Sequence, residues 1–326
     1  MRLAQAARCG AALLAAKVSG RATPLVVSWR LLNRCNLRCR YCYIPLVETA
    51  ELTTTEVVAT IDELARLGTA YLQFTGGEVL LREDLGDILG RVAERGIAHS
   101  INTNGTFVPG RIEVLRRVST LTLSLDGPED VHDRARGRGS FADVMAALDA
   151  ARDAGIPLGI TTVLSTHNVG AVRWLLDAAR RYDAKISFQP GTLDRLGSEV
   201  ANPITPPPDA YRAAIALLIQ EKRSGNPLIA SSLTTLEHLA AFPARRPIAC
   251  AAGLLYFRIE ANGDVLACTD VTRPTRVANL REHGVAAALA ATRRTGCDEC
   301  WGASRVEFNH AVALDPATLL NVLATR

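Results

Sequence analysis

The stretch "NRCNLRCRYCY" at residues 33–43 sets three cysteines, Cys35, Cys39 and Cys42, close together and supplies no fourth. A structural zinc site closes with four ligands, and disulfides consume cysteines in pairs. Three thiolates suit a four-iron cluster that keeps one iron free of protein. That iron is open to a small molecule, much as a catalytic zinc keeps a position for water. A zinc site completed by a distant side chain is the competing reading of the motif taken alone.

Outward from the motif the chain has a regular rhythm. Immediately before it lies "PLVVSWRL" (24–31), and further β-branched or apolar runs follow at 70–76, 97–105, 121–127, 157–165 and 184–190. Amphipathic stretches at 53–67, 82–95, 110–118, 140–154, 167–182 and 208–224 alternate with them. Strict strand–helix alternation predicts a parallel α/β sheet with right-handed crossovers. Six units make an open partial (β/α)6 barrel, short of the eight that close one. The loop after the first strand then lies at the barrel face where active sites are built. The Pro- and Gly-rich stretch 191–209 breaks the rhythm and is expected to be a loop over the barrel mouth or a surface connector. After residue 245, "LYFRIEANGDVLAC" (255–268) reads as two strands about Asn262-Gly263-Asp264. Helical patterns follow at 281–294 and 315–326. The expected organisation is an N-terminal helix (1–24), the barrel (25–224), a connecting helix (225–249) and a small hairpin-and-helix domain (250–326).

Composition sets outer limits. The 326 residues are 48% hydrophobic and 21% charged, with 37 basic against 33 acidic side chains and a net charge of +4. That balance is ordinary for a globular protein and too mild to argue for a nucleic-acid partner. No run reaches the ~18 uncharged apolar residues of a membrane span. Near the N-terminus, Arg8 and Lys17 interrupt the apolar stretch and no clean cleavage site follows. Leu3, Ala6, Ala7, Leu13, Leu14 and Val18 instead fit a helix packed on the body, and a cytoplasmic location is expected. Seven of the eight cysteines fall in two groups, which reads as metal binding in a reducing compartment. Cys9 is left over and is expected to be a small buried hydrophobe.

Cys-x3-Cys-x-aromatic-Cys after the first strand of a partial barrel resembles the radical S-adenosylmethionine (SAM) superfamily. The resemblance implies a [4Fe–4S] cluster on Cys35, Cys39 and Cys42. Its free iron would hold SAM, and an external one-electron reductant of flavodoxin or ferredoxin type would supply the electron. "TGGEVLLREDL" (75–85) resembles the family's Gly-Gly-Glu motif at Gly76, Gly77 and Glu78, whose acidic residue and backbone hold the methionine end of SAM. Val79 stands where Pro is frequent. "SINTNGT" (100–106) and "LSLDGPEDVHDRARGRGSF" (123–141) resemble segments that line the SAM site. By that likeness Asn104, Ser124 and Asp126 are candidates for the ribose or methionine part, and Tyr41 for the neighbourhood of the adenine. His132, Asp133 and Arg136 are candidates for a substrate or SAM carboxylate, against a solvated helix start with ion pairs.

Cys250 and Cys268 flank the expected hairpin, and Cys297 and Cys300 form Cys-x2-Cys. Four thiolates make a closed site for zinc or for a fully ligated cluster. The pattern resembles the start of the SPASM extension and its shortened twitch form. No cysteine follows Cys300, which implies a single auxiliary [4Fe–4S] cluster. A closed cluster can only take or give an electron, which suits net oxidation. The resemblance to the short twitch form, which includes dehydrogenases of sugar-like aminocyclitols, implies a small polar substrate (a sugar, aminocyclitol or nucleoside of specialised metabolism) as the first expectation. With the barrel starting by residue 25 and the chain ending soon after Cys300, no added peptide-recognition domain is expected. Epimerisation or decarboxylation of a sugar moiety and modification of a ribosomal peptide are the alternatives. A non-catalytic iron–sulfur electron-transfer protein is the reading from a different class.

Overall fold

The structure is a computed structural model that describes residues 10, 13, 20–191, 201–268, 278–292 and 296–324. Most of the expected N-terminal helix, including Cys9, and residues 192–200 of the expected mouth loop lie outside the described residues. Leu13 is helical and packs against Leu25, Ala251 and Leu255.

Six parallel strands form the barrel portion: β1 (Val26–Arg30), β2 (Tyr71–Thr75), β3 (Ala98–Thr103), β4 (Thr120–Ser124), β5 (Leu158–Leu164) and β6 (Lys185–Pro190). They pair in sequence order and the sheet stays open, as the alternation of strand and helix predicts. Helices α1 (Thr54–Arg66), α2 (Leu85–Glu94), α3 (Ile112–Leu115), α4 (Glu129–Arg136), α5 (Ser140–Asp153), α6 (Val172–Arg181) and α7 (Pro208–Arg223) follow in order. α1 starts where it does because Thr53 and Glu56 close a capping box. Its Val57, Ile61 and Leu64 face Val27, Trp29, Leu72 and Phe74 in one continuous core.

Period-2 alternation divides each strand between two environments. The faces that carry Val27, Trp29, Phe74, Ile101 and Leu121 are fully buried under the helices. The opposite faces line the lumen and are polar: Ser28, Gln73 and Ser100 lie in one register row, and Ser124, Thr161 and Ser187 in another. Gln73, Ser124, Thr161 and Ser187 keep part of their surface although their strands are mid-sheet, because helices cover only the other face. Closed barrels of this kind fill the interior with branched apolar side chains; this open one leaves it hydrophilic.

The C-terminal part differs from an appended unit. β7 (Tyr256–Ile259) pairs in parallel with β1, from Val26↔Tyr256 to Trp29↔Ile259. β8 (Asp264–Leu266) and β9 (Ala278–Asn279) extend the same sheet to nine strands. The hairpin turn at Gly263 is left-handed (φ 90°), as the Asn262-Gly263-Asp264 signal requires. The helix expected at 281–294 divides into α9 (Leu280–His283) and α10 (Val285–Ala291), because Gly284 lies at φ 71°; 293–294 lie outside the described residues. Of the connecting helix expected over 225–249, only α8 (Leu233–Leu239) forms, capped by Ser232. α11 (Ala303–Val312) was not anticipated, and α12 (Pro316–Ala324) matches the last apolar pattern.

Candidate functional site

The cysteine loop leaves the end of β1 and is held by its neighbours on two sides. On one side, Gly77 N–H donates to Leu32 O (2.8 Å) and Glu78 N–H to Arg34 O (2.9 Å). A Cβ on Gly77 would stand 2.1 Å from Arg34 O and 2.4 Å from Asn33 O, and one on Gly76 would stand 2.7 Å from Leu32 O. The close approach that these glycines allow is therefore to the chain's own backbone, at the residues leading into Cys35. On the other side, Arg40 N–H donates to Ala135 O of α4 (3.0 Å).

Glu78 is fully buried. Its carboxylate accepts from Leu80 N–H (3.0 Å), Thr103 Oγ1 (2.8 Å) and Asn104 N–H (2.9 Å). Burial pushes its carboxyl up, and those three donors pull it back. Asn104 continues the chain of contacts outward: its Nδ2 donates to Asn36 Oδ1 (2.8 Å) and lies 3.9 Å from Cys35 Sγ. Glu78 and Asn104 thus brace the loop from behind.

Asp126, 2% exposed, accepts from Arg136 Nε (2.7 Å), Tyr41 Oη (3.4 Å) and Val163 N–H (3.2 Å). The Arg136 guanidinium lies 5.7 Å from the Tyr41 ring centroid, a cation–π contact. Burial holds the Tyr41 hydroxyl protonated, well above its ordinary value. His132 is buried, with Nδ1 accepting from Asp126 N–H (3.2 Å). The segment 129–136 is therefore a helix whose His132, Ala135 and Arg136 face inward, in place of a solvated start. Asp133 accepts from Gly139 and Phe141 N–H and so secures the start of α5. Ser124 ends β4 on the lumen side, opposite Thr161.

The three thiols share one electrostatic site. Burial, helped by the like charges of Cys42 and Cys35 and opposed by Arg136, pushes the Cys39 thiol up to about 11. Burial also raises Cys35 and Cys42, while Arg136 and Arg30 favour the Cys42 thiolate. None of the seven described cysteines is in a disulfide. Clustered thiols that resist ionisation on their own, flanked by guanidinium groups, fit a group that needs three thiolates and neutralises them. Among the described residues, no three His, Cys, Asp or Glu side chains converge tightly enough to chelate one metal ion; a four-iron cube instead takes its thiolates at separate corners. A cleft of about 810 Å³ is lined by this loop and the segment after it, including Asn33, Arg34, Cys35, Arg38 and Glu51.

The second group is assembled by the crossing of two segments. Ile248 N–H donates to Asp298 O (2.7 Å), and Pro247 bridges Glu299, which brings 297–300 beside Cys250. Burial raises the Cys297 thiol, with Cys250 acting as a like charge. Cys250 and Cys268 both pack on Ala252, Tyr256 and Ala267. Cys300 O accepts from His238 Nε2 (3.0 Å).

A buried charge network that the sequence reading missed lies on the lumen face between the two groups. Glu260 pairs with Arg30 (2.7 Å) through one oxygen and with Arg258 (3.0 Å) through the other. Arg258 also donates to Ser28 Oγ (2.8 Å). Arg30 bonds Tyr43, next to Cys42, and Tyr256 bonds Ser28 and faces Cys268. The available signal was Ser28 and Arg30 at alternate positions of an apolar strand, and Arg258 and Glu260 at alternate positions of another.

Residues 29–179 match the model of the Radical SAM superfamily. Fe-coproporphyrin III synthase of Methanosarcina barkeri is 33% identical over 159 residues, 47% of this chain and 40% of that protein. Mycofactocin maturase MftC of Mycobacterium ulcerans is 28% identical over 256 residues, 75% of this chain and 68% of that protein. The chain thus spans less than half of the first relative's length. Streptococcus suis SuiB bound to precursor peptide SuiA superposes with a TM-score of 0.69 at 15% identity, covering 86% of this chain and 68% of SuiB, a likeness of fold.

Proposed function

We propose, from the match of residues 29–179 to the model of the Radical SAM superfamily, that the chain is a radical SAM enzyme acting on a polar substrate held in the lumen. The observation that carries this is the three-thiol loop clamped at the mouth of an open, hydrophilic barrel. When bound there by Cys35, Cys39 and Cys42, a [4Fe–4S] cluster would leave one iron for SAM and supply the electron that yields a 5′-deoxyadenosyl radical for hydrogen abstraction. This chain's residues do the rest. Gly76 and Gly77 let the second loop grip the cysteine loop, and Glu78 and Asn104 brace it. Asp126 fixes Arg136, whose charge faces Cys39 and Cys42 and favours their thiolates. Ser124 is proposed to line the lumen where SAM and substrate would meet, and Asn104, Tyr41 and Asp126, each already engaged within the protein, to hold that mouth in shape. Cys250, Cys268, Cys297 and Cys300 are proposed to hold a second, closed cluster that removes an electron from the substrate radical, giving net oxidation.

A second reading of the substrate has a specific observation behind it. A relative named PqqA peptide cyclase, from Ruegeria pomeroyi, is 32% identical over 170 residues, 50% of this chain, which favours a peptide over a sugar-like molecule. The test is anaerobic reconstitution with iron and sulfide, followed by reduction in the presence of SAM. About eight irons per chain and release of 5′-deoxyadenosine are expected. Zinc alone, or no SAM cleavage by fully loaded protein, would remove this reading.

A further inference from the structure

Arg30 and Arg258 are 9% and 4% exposed, and both lie on the lumen face of adjoining strands. Among the described residues one carboxylate, Glu260, pairs with both. One carboxylate is thus shared between two cations in a nearly dry place. A buried charge is costly unless paired, and guanidinium groups present five donors each. Arg258 donates through Nε to one oxygen of Glu260 and through Nη1 to Ser28 Oγ. Arg30 has Cys42 on one side, which leaves Arg258 as the cation facing the lumen. Further round the same face, Asn102 Oδ1 is buried with no hydrogen-bond partner.

We infer that the lumen side of the β1–β7 seam is the seat of a substrate carboxylate, received by Arg258 with Arg30 behind it. A guanidinium fork matches the planar carboxylate, and Arg258 shares its one counter-ion with a second cation. This inference rests on reading the lumen as the substrate site. The substrate class becomes an acid, such as a peptide with a free C-terminus or acidic side chain, or a carboxylated small molecule, its remaining polar groups bonded by the hydroxyl and amide side chains that line the lumen.

The test needs no identified substrate. Full-length reconstituted protein is titrated with trifluoroacetate and followed by fluorine NMR, with neutral trifluoroethanol as control. Saturable binding of the acid alone is expected. Arg258→Gln should weaken it at least tenfold. Glu260→Gln should tighten it several-fold, because it leaves both cations uncompensated; a gain of binding cannot come from misfolding. Saturating SAM should leave the titration unchanged. Binding unaffected by either substitution would mean an adventitious anion on the arginine-rich surface and would overturn the inference. Displacement by SAM would overturn it too, since the seat would then belong to the carboxylate of SAM. Tighter binding of inorganic phosphate than of trifluoroacetate would overturn the carboxylate assignment. Cleavage of SAM by the reduced wild-type protein is read separately, so failure of the enzyme reading is distinguishable from failure of the anion seat.

Discussion

Removing the Glu78 carboxylate would strand three buried donors at once: Leu80 N–H, Thr103 Oγ1 and Asn104 N–H. Each unsatisfied group costs about 1–3 kcal/mol, so Glu78→Ala is expected to lower unfolding free energy by roughly 3 kcal/mol or more in urea. Glu78→Gln keeps an acceptor oxygen and should cost clearly less. A loss under about 1 kcal/mol for the alanine variant would show that these bonds are not the brace described. His132 gives a pH signature. Burial, then Arg136, lowers its pKa to about 4, against about 6.5 in an unfolded chain. Between those values the unfolded chain takes up a proton that the folded one refuses. Stability is therefore whole above pH ~6.5, falls as pH drops and levels off below ~4, by up to about 3 kcal/mol. Urea midpoints from pH 7 to 4 should show the decline, and His132→Gln should flatten it; an unchanged slope would assign the decline to other groups.

At the scale of elements, the six βα units were legible because strand and helix periods alternate locally, and the cysteine spacings survive any error in boundaries. The pairing of β7 with β1 was not legible. Parallel pairing between segments some 230 residues apart leaves no local pattern, and a cysteine-bearing hairpin reads as a separate unit when its partner strand is unknown. The short α8 and α11 carry too few periodic apolar positions to stand out. The inward face of α4 was hidden by its charges, since Arg136 is buried only because Asp126 awaits it. The two cysteine groups nevertheless sit on different elements, and this yields a test. Cys297→Ala with Cys300→Ala removes two ligands from the crossing of 247–250 with 297–300 and touches nothing in the β1 loop. Iron is expected to fall from about eight to about four per chain, with SAM cleavage retained and oxidised product lost. Loss of both clusters together would mean that the groups are not independent.

At the scale of the molecule, β1 is an interior strand of a nine-stranded sheet. A chain ended at residue 249 would strip β7 from it and present a bare edge beside Trp29 and Val27, a template for intermolecular pairing. Such a chain is expected to aggregate in size-exclusion chromatography while the full chain does not; a soluble monomer with native far-UV circular dichroism would show that the hairpin is dispensable. The seam also bears on inheritance. A crossover that exchanged the C-terminal segment between two related genes near residue 250 would bring in new cysteines. It would bring Arg258 and Glu260 with them, and a strand that must match Val26 to Trp29 residue for residue. Recombinants should therefore survive only when both halves descend from partners with the same seam, so that electron handling and substrate recognition are passed on as one heritable block.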